Sequence, residues 1–394
     1  MSNRYLALIL ALGIFFSIRL ESRIYFVHIP KTGGTTLRLL LESQLSADEI
    51  YPYRNRLSAK GPVEHPLVSG HFPYWFCKQL DPAFTEAFKV TILREPVERY
   101  LSHLRAKKWQ SGEFASLESV MKERLSPNSK FRADLMGNAQ CRNLAADPNL
   151  KGAALLESAK QTLDTFDCVL FFDHFNQEVV DLFGRLGLIL AEADIPKMNF
   201  TQKEPVSADL WNEVVQLNQL DIQLYEYAKK HLRKKETAAH LRTQSFEKVL
   251  KTTDSVDYTF DLPLNGRFWS YREVASEGGE KYPIHRWVTD QPASIYFSLE
   301  AGLDYRLYFN AQPLTSEVVP KVRVNGRDIA LQKLNEDTFS LYYGEISKDW
   351  ITTTPTEITL YSTQAFLYRD AHPSKQNRNY PLLSFAVNRI QISR

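Results

Sequence analysis

The segment Pro30-Lys31-Thr32-Gly33-Gly34-Thr35-Thr36 concentrates the chain's anion-binding chemistry. Glycines let a backbone turn tightly enough for successive N–H groups to point at one oxyanion, and the start of a following helix adds the positive end of its dipole. Lys31 brings an ammonium, and Thr32, Thr35 and Thr36 bring hydroxyls. A phosphate fits that set. Here the lysine precedes the glycines, whereas in the ATPase pattern GxxxxGK[ST] it follows them. Further along, Arg94 closes the apolar run Val90-Thr91-Ile92-Leu93, and Ser102 comes eight residues later, a cation and a hydroxyl suited to a second phosphate. No acid ends that run to hold Mg²⁺ through water, which disfavours a metal-dependent NTPase. Two anion sites at neighbouring strand ends imply a ligand phosphorylated at two places.

Positioning such groups requires strands that stop where the loops begin. Residues 24 to 29 (IYFVHI) form a continuous apolar run, the pattern of a strand buried on both faces. From Thr35, leucines at 37, 40, 41 and 45 recur at helical spacing. The unit repeats after Lys89, with Pro96 at the first turn of a helix carrying Val97, Tyr100, Leu101 and Leu104. Phe166 to Phe172 reads as another buried strand, and 177–186 and 210–232 read as helices. Strands alternating with helices predict an open parallel sheet. After about residue 250 the texture changes to short runs of Tyr, Phe, Val, Ile and Thr broken by Gly, Pro, Asn and Asp, an all-β pattern. Its strands are predicted at 293–299, 304–309, 321–324 with an Asn325-Gly326 turn, 356–361 and 383–392. The expected architecture is therefore α/β, a P-loop-type parallel sheet flanked by helices over 23–235, a connection at 236–252, and an all-β sandwich over 253–394.

The whole chain agrees with two folded domains. Its 394 residues exceed what one core usually serves, and 44% hydrophobic with 24% charged residues is a globular balance. Lys and Arg total 48 against 46 Asp and Glu, too even for a nucleic-acid partner, so an anion must be met locally. Cys77, Cys141 and Cys168 are odd in number and form no CxxC, which predicts reduced thiols in a cytoplasmic protein. The apolar segment 5–18 (YLALILALGIFFSI) is shorter than the roughly 20 residues of a membrane-spanning helix. Three readings of it stand: a short anchor giving membrane contact, an extension packed on the domain, or sequence upstream of the true start.

IPKTGGTTL, followed about sixty residues later by LREPVERYLSHL, resembles the two nucleotide-binding signatures of sulfotransferases that use 3′-phosphoadenosine 5′-phosphosulfate, PAPS. The likeness is greatest to the Golgi-type carbohydrate group, especially heparan sulfate 2-O- and 6-O-sulfotransferases and their bacterial relatives. The resemblance implies that Lys31, Thr32, Gly33, Gly34, Thr35 and Thr36 hold the 5′-phosphosulfate, and that Arg94 and Ser102 hold the 3′-phosphate. Ser69-Gly70-His71-Phe72 is similar to a Gly-His segment of that group, which makes His71 the candidate general base, with His65 and His28 as alternatives. Lys31 would also stabilise charge growing on the leaving phosphate. Asn138 to Leu144 (NAQCRNL) resembles a family segment NxQTRxL, with Cys141 where threonine is usual, and 218–228 (NQLDIQLYEYA) resembles the final helix. Gln140 and Arg142 are candidate acceptor or nucleotide contacts. The β-rich part is more loosely similar to a sandwich appended to some bacterial glycosyl- and sulfotransferases, through Trp269, Glu273, Arg286-Trp287, Val324-Asn325-Gly326 and Asn379 to Ser384.

The implied activity is sulfuryl transfer from PAPS to a hydroxyl of an oligosaccharide, polysaccharide or glycoconjugate, leaving 3′,5′-adenosine bisphosphate and using no metal. Two other classes stay open: a P-loop nucleotide kinase or hydrolase, and a non-catalytic glycan-binding protein acting through its β domain. Arg99 and Arg105 are read as exposed helix positions, Lys107-Lys108 as a solvated pair, and Trp269, Tyr271 and Trp287 as sandwich core rather than a sugar platform.

Overall fold

The computed structural model describes residues 23–52, 54, 56–57, 59–61, 63–111, 116–125, 137–188, 190–196, 204–232, 252–270, 272–273, 283–351, 355–366 and 382–394. The segment 5–18, nearly all of the 236–252 connection, Tyr271 and Asn379 to Pro381 lie outside the described residues.

All four side chains of β1 (Ile24–Val27) are buried. Successive strand residues face opposite sides. Ile24 and Phe26 pack with Leu37, Leu40 and Leu41 of α1 (Gly34–Ser43), while Tyr25 and Val27 pack with Val68, Phe72 and Phe84. That double burial explains the unbroken apolar run. β2 (Leu67–Gly70), β3 (Phe88–Leu93) and β4 (Cys168–Phe171) complete one parallel sheet in the order β2-β1-β3-β4. The remaining helices are α2 (Tyr74–Leu80), α3 (Pro96–Ser111), α4 (Leu117–Leu125), α5 (Ala139–Leu144), α6 (Gly152–Leu163), α7 (Phe175–Arg185), α8 (Ala208–Leu217) and α9 (Gln219–His231). Helix α7 joins α1 on one face of the sheet, and α5, α6 and α9 pack on the other.

Two expectations are corrected. The helix expected over 210–232 is two helices, because Asn218 breaks it: its side-chain amide donates to the Val214 carbonyl at 2.8 Å and its backbone leaves the helical region. Arg99 and Arg105, expected on exposed turns, are 1% and 6% exposed. Their helix α3 is covered by Leu117 and Val120 of α4 and by Leu210 and Val214 of α8, so most of its circumference is buried.

The C-terminal part is two antiparallel sheets. One orders β11 (Arg327–Ile329), β10 (Lys321–Val324), β14 (Thr356–Tyr361), β8 (Ala293–Phe297) and β6 (Gly266–Arg267). The other orders β12 (Gln332–Lys333), β13 (Ser340–Ile346), β9 (Tyr305–Pro313), β15 (Leu383–Ser393) and β5 (Val256–Thr259), with β7 (Arg286–Thr289) also on β15. Alternate residues point inward, so Ile358 and Leu360 meet Leu307, Phe309 and Ile390 in one core. Trp269 is 1% exposed there, its Nε1 donating to the Ser294 carbonyl at 2.9 Å, and Trp287 is 7% exposed; both are core, as read from the sequence.

The sandwich meets the α/β part at the C-terminal end of α1. Leu264 N–H donates to the Ser43 carbonyl at 2.8 Å, Ala47 N–H to the Asp261 carbonyl at 2.7 Å, and Arg272 Nη2 to the Leu45 carbonyl at 2.7 Å. The first of these satisfies a carbonyl that a helix end leaves without a partner. All three cysteines are buried free thiols. Among the described residues no helix is long and apolar enough to cross a membrane.

Candidate active site

After β1 the chain turns through two left-handed residues, Lys31 at φ 72° and Gly33 at φ 90°. Gly33 caps α1, and a Cβ on it would sit 2.8 Å from the Phe172 ring. Gly34 is tighter still, since a Cβ there would stand 2.1 Å from the His28 imidazole. Both glycines are thus demanded by aromatic rings at the ends of β4 and β1. The first N–H groups of α1 have no carbonyl one turn back, which is the backbone requirement for an anion cradle. Thr35 is half-buried and Thr36 is buried at the start of that helix. Thr32, expected to offer its hydroxyl to the ligand, is fully buried and donates it to the Ile29 carbonyl at 2.9 Å. That hydroxyl shapes the loop from within.

The charges around the loop are mostly of one sign. Burial, then Arg94 and Lys107, pull the Lys31 ammonium down to about 8. Arg94 is lowered too, by burial first and by Arg105 and Arg99 next, with Glu98 opposing. From the end of β3, Arg94 Nη1 donates to the Lys31 carbonyl at 3.1 Å, and its guanidinium lies 4.4 Å from the centre of the Phe172 ring. The two motifs, expected to serve separate anions, are therefore in contact. Ser102 lies buried on α3, and Glu98, one turn after Arg94, stands 3.8 Å from its Nη2. Glu95 accepts the N–H groups of Val97 and Glu98 at 3.1 and 2.7 Å and so caps α3.

His71 follows β2 directly. Its Nδ1 is 3.0 Å from the His28 carbonyl, and because a carbonyl only accepts, Nδ1 carries the proton and Nε2 keeps its lone pair. Its backbone N–H donates to the Arg54 carbonyl at 2.7 Å, which fixes the residue from the other side. The side chain reaches solvent, yet desolvation by the surrounding protein is the largest influence on it; Arg38 and Lys31 add to that and the His28 carbonyl opposes, leaving its pKa below 6.5. His28, its ring centre 4.3 Å from that of His71, is buried and held well below the usual imidazole range, so it is a neutral floor under His71. His65 packs edge-on to Tyr51 at 5.6 Å.

No family model matches the chain. Among curated proteins, the heparan-sulfate 6-O-sulfotransferase 1-A of Danio rerio is 27% identical over 278 residues, covering 54% of this chain and 66% of the relative. The 1-B protein of the same organism is 26% identical over 300 residues, covering 60% and 72%. The chain thus spans about two thirds of the length of these relatives. In sequence the chain is similar to sulfotransferases. A solved sulfotransferase from Alicyclobacillus acidocaldarius is 18% identical, with TM-score 0.32 over 52% of this chain and 94% of that one.

In this sulfotransferase-like domain the two further segments singled out in the sequence clasp each other. Asn138, left-handed at φ 51°, accepts the N–H groups of Leu220 and Asp221 at 2.9 and 3.1 Å. Asp221 in turn accepts those of Gln140 and Cys141 at 2.9 and 2.8 Å. Each helix start is capped by the other, with Arg99 supplying positive charge to the fully buried Asp221. Gln140, a candidate acceptor contact, instead accepts from the Arg94 N–H at 3.0 Å and donates to the Arg94 carbonyl at 2.9 Å. It is 1% exposed and holds the backbone that carries Arg94. Arg142 donates from Nε to the Gly137 carbonyl at 3.2 Å, closing its own turn. Sequence reasoning missed Asp221 altogether; the matched helix segment contained it, but its partners lie 80 residues away in the chain. Lys108 is paired with Glu204 at 2.6 Å.

Proposed function

We propose that the protein is an enzyme that transfers a sulfuryl group from PAPS to a carbohydrate hydroxyl. The observation that carries this reading is the contact of Lys31 and Arg94 at adjoining strand ends, two half-buried cations beside a left-handed glycine cap, with more cations than acids around them. Cations brought together against their own repulsion mark a site for a polyanion. The names of the two Danio rerio relatives support a polysaccharide acceptor.

The donor brings a sulfuryl group on a phosphate leaving group; the S–O bond to the acceptor forms as that to the phosphate breaks. Lys31 and the first N–H groups of α1, in a P-loop-type arrangement, hold the 5′-phosphosulfate and take up charge as it grows on the leaving oxygen. Arg94, with Ser102, holds the 3′-phosphate. His71 Nε2 faces the acceptor hydroxyl and takes its proton. The cations supply the electrostatic stabilisation, and the reading includes no metal. The carboxylate nearest the strand end, Glu95, is engaged by backbone N–H groups, which counts against a kinase or hydrolase that needs an acid there for Mg²⁺.

Calorimetric titration without Mg²⁺ tests the reading. Tighter binding of 3′,5′-adenosine bisphosphate than of ADP is the expected result. Equal binding, or none, overturns it.

A further inference from the structure

The seam between the sandwich and α1 holds more positive charge than its own acids neutralise. Arg286, which opens β7, is 0% exposed, and Arg272 is 3% exposed. Their segments pair antiparallel through Trp269 with Val288 and Glu273 with His285, which carries the two arginines to adjoining positions. Like charges placed across paired strands repel.

Each guanidinium is engaged at one end. Arg286 Nη1 donates to the Ser270 carbonyl at 2.7 Å, and Arg272 Nη2 donates to the Leu45 and Leu262 carbonyls at 2.7 and 3.0 Å. The other ends, Nε and Nη2 of Arg286 and Nε and Nη1 of Arg272, are buried and meet no acceptor among the described residues. The acids that act most on these two guanidiniums are Glu42 of α1 and Asp261. Glu42 already accepts from Ser69 Oγ at 2.7 Å and pairs with Arg54 at 3.1 Å and Arg38 at 3.7 Å. Glu42 thus answers to the guanidiniums of Arg38, Arg54 and Arg286 and acts on Arg272 as well. Tyr258, the other titratable group here, is held by burial at about 12 and supplies no charge. Burial and Arg272 lower Arg286 only to about 10, so it stays cationic at neutral pH. Buried donors of this strength are normally satisfied.

We infer that the seam binds one small inorganic anion, a halide or a tetrahedral oxyanion, between the free ends of Arg272 and Arg286. The anion supplies the missing acceptors and offsets the surplus charge. Since Arg272 also holds the Leu45 carbonyl just past the C-terminal end of α1, the ion ties the sandwich to the helix whose other end begins at Gly33 and Gly34. The reading is independent of the proposed transferase activity.

The test uses the full chain. Its thermal midpoint is titrated with chloride and with sulfate against gluconate at fixed ionic strength, for the wild type and Arg286→Met. Crystals soaked in bromide and in sulfate are examined in parallel. A specific anion should raise the wild-type midpoint by on the order of 5 °C at a hundredfold excess over its dissociation constant. Arg286→Met should lose that increment while keeping any response arising at the Lys31 loop. An anomalous bromide peak between the guanidiniums identifies a halide, and a tetrahedral density there identifies an oxyanion. If the variant does not fold, the wild-type maps decide alone. A seam with neither feature, or a midpoint response that Arg286→Met retains in full, overturns the inference.

Discussion

Cations on the β-sandwich and cations at the Lys31 loop keep different company. On the sandwich, exposed Arg323 meets Asp328 at 2.9 Å, Arg389 meets Asp257 at 2.6 Å, and Arg394 meets Glu300 at 2.8 Å. At the loop, the neighbours that most perturb Lys31 are Arg94 and Lys107. Paired surface ions are complete in water and contribute little. Lys31 and Arg94 lie half-buried beside one another with Glu98 as the carboxylate 3.8 Å from Arg94, an arrangement that the proposed nucleotide would complete. The sign of a charge's neighbours, rather than the number of charges, separates a binding site from a solvated face.

The largest effect expected is at the group that supplies no charge. His71→Ala should lower turnover by about 10² to 10⁴ while leaving the affinity for 3′,5′-adenosine bisphosphate unchanged, because Nε2 acts on the acceptor and not on the nucleotide. Single-turnover kinetics beside calorimetry reads both. A matching loss of affinity would place His71 in the anion cradle and blur the contrast between base and cations.

Arg94→Ala comes next. A charge-assisted hydrogen bond to phosphate contributes about 1.5 to 3 kcal/mol, so affinity for the 3′-phosphorylated nucleotide should fall roughly ten- to hundredfold, with a much smaller loss for ADP. Equal losses for the two ligands would mean that Arg94 does not read the 3′ position.

How much of this was legible in the sequence depended on whether partners are near in the chain. The strand at 356–361, the Asn325-Gly326 turn and the loop from Lys31 to Thr36 are set by contiguous residues, and all were readable. The parallel sheet followed from the alternation of strands and helices. Gln140 was misread because its partner, the backbone of Arg94, lies 46 residues earlier, and nothing local marks an amide that will bond to a strand end. Arg99 and Arg105 were misread because the helical pattern of α3 shows one apolar stripe, whereas packing by α4 and α8 buries more of its circumference. The Arg272 and Arg286 seam depends on two domains meeting, which no local pattern reports.

A pH profile sharpens the comparison at the level of about tenfold. Lys31 has a folded pKa drawn down to about 8 from 10.5, so its charge is lost as pH rises through 8. Nucleotide affinity should therefore decline above pH 8, by up to about tenfold per unit. His71, shifted below 6.5, stays neutral down to that pH, so the acid limb of turnover lies below 6.5. Lys31→Arg should remove the alkaline limb, since a guanidinium stays charged there. An alkaline limb unmoved in that variant would belong to another group.

The smallest effect is expected on the sandwich surface, where Arg389 and Asp257 are 44% and 56% exposed. Asp257 is lowered mainly by its hydrogen bond from Arg389. Whatever stability the pair confers is present above the ordinary Asp range and is lost as pH falls through the lowered value, and solvent screening keeps it small. Arg389→Ala should leave the thermal midpoint at pH 7, nucleotide affinity and turnover close to those of the parent. The variant removes a cation, as Arg94→Ala does, and lowers the net charge equally. If it weakened nucleotide binding as much as Arg94→Ala, the ligand would be responding to the overall field of the protein. Unchanged binding in Arg389→Ala beside a large loss in Arg94→Ala would show that the local arrangement of like charges is what recognises the nucleotide.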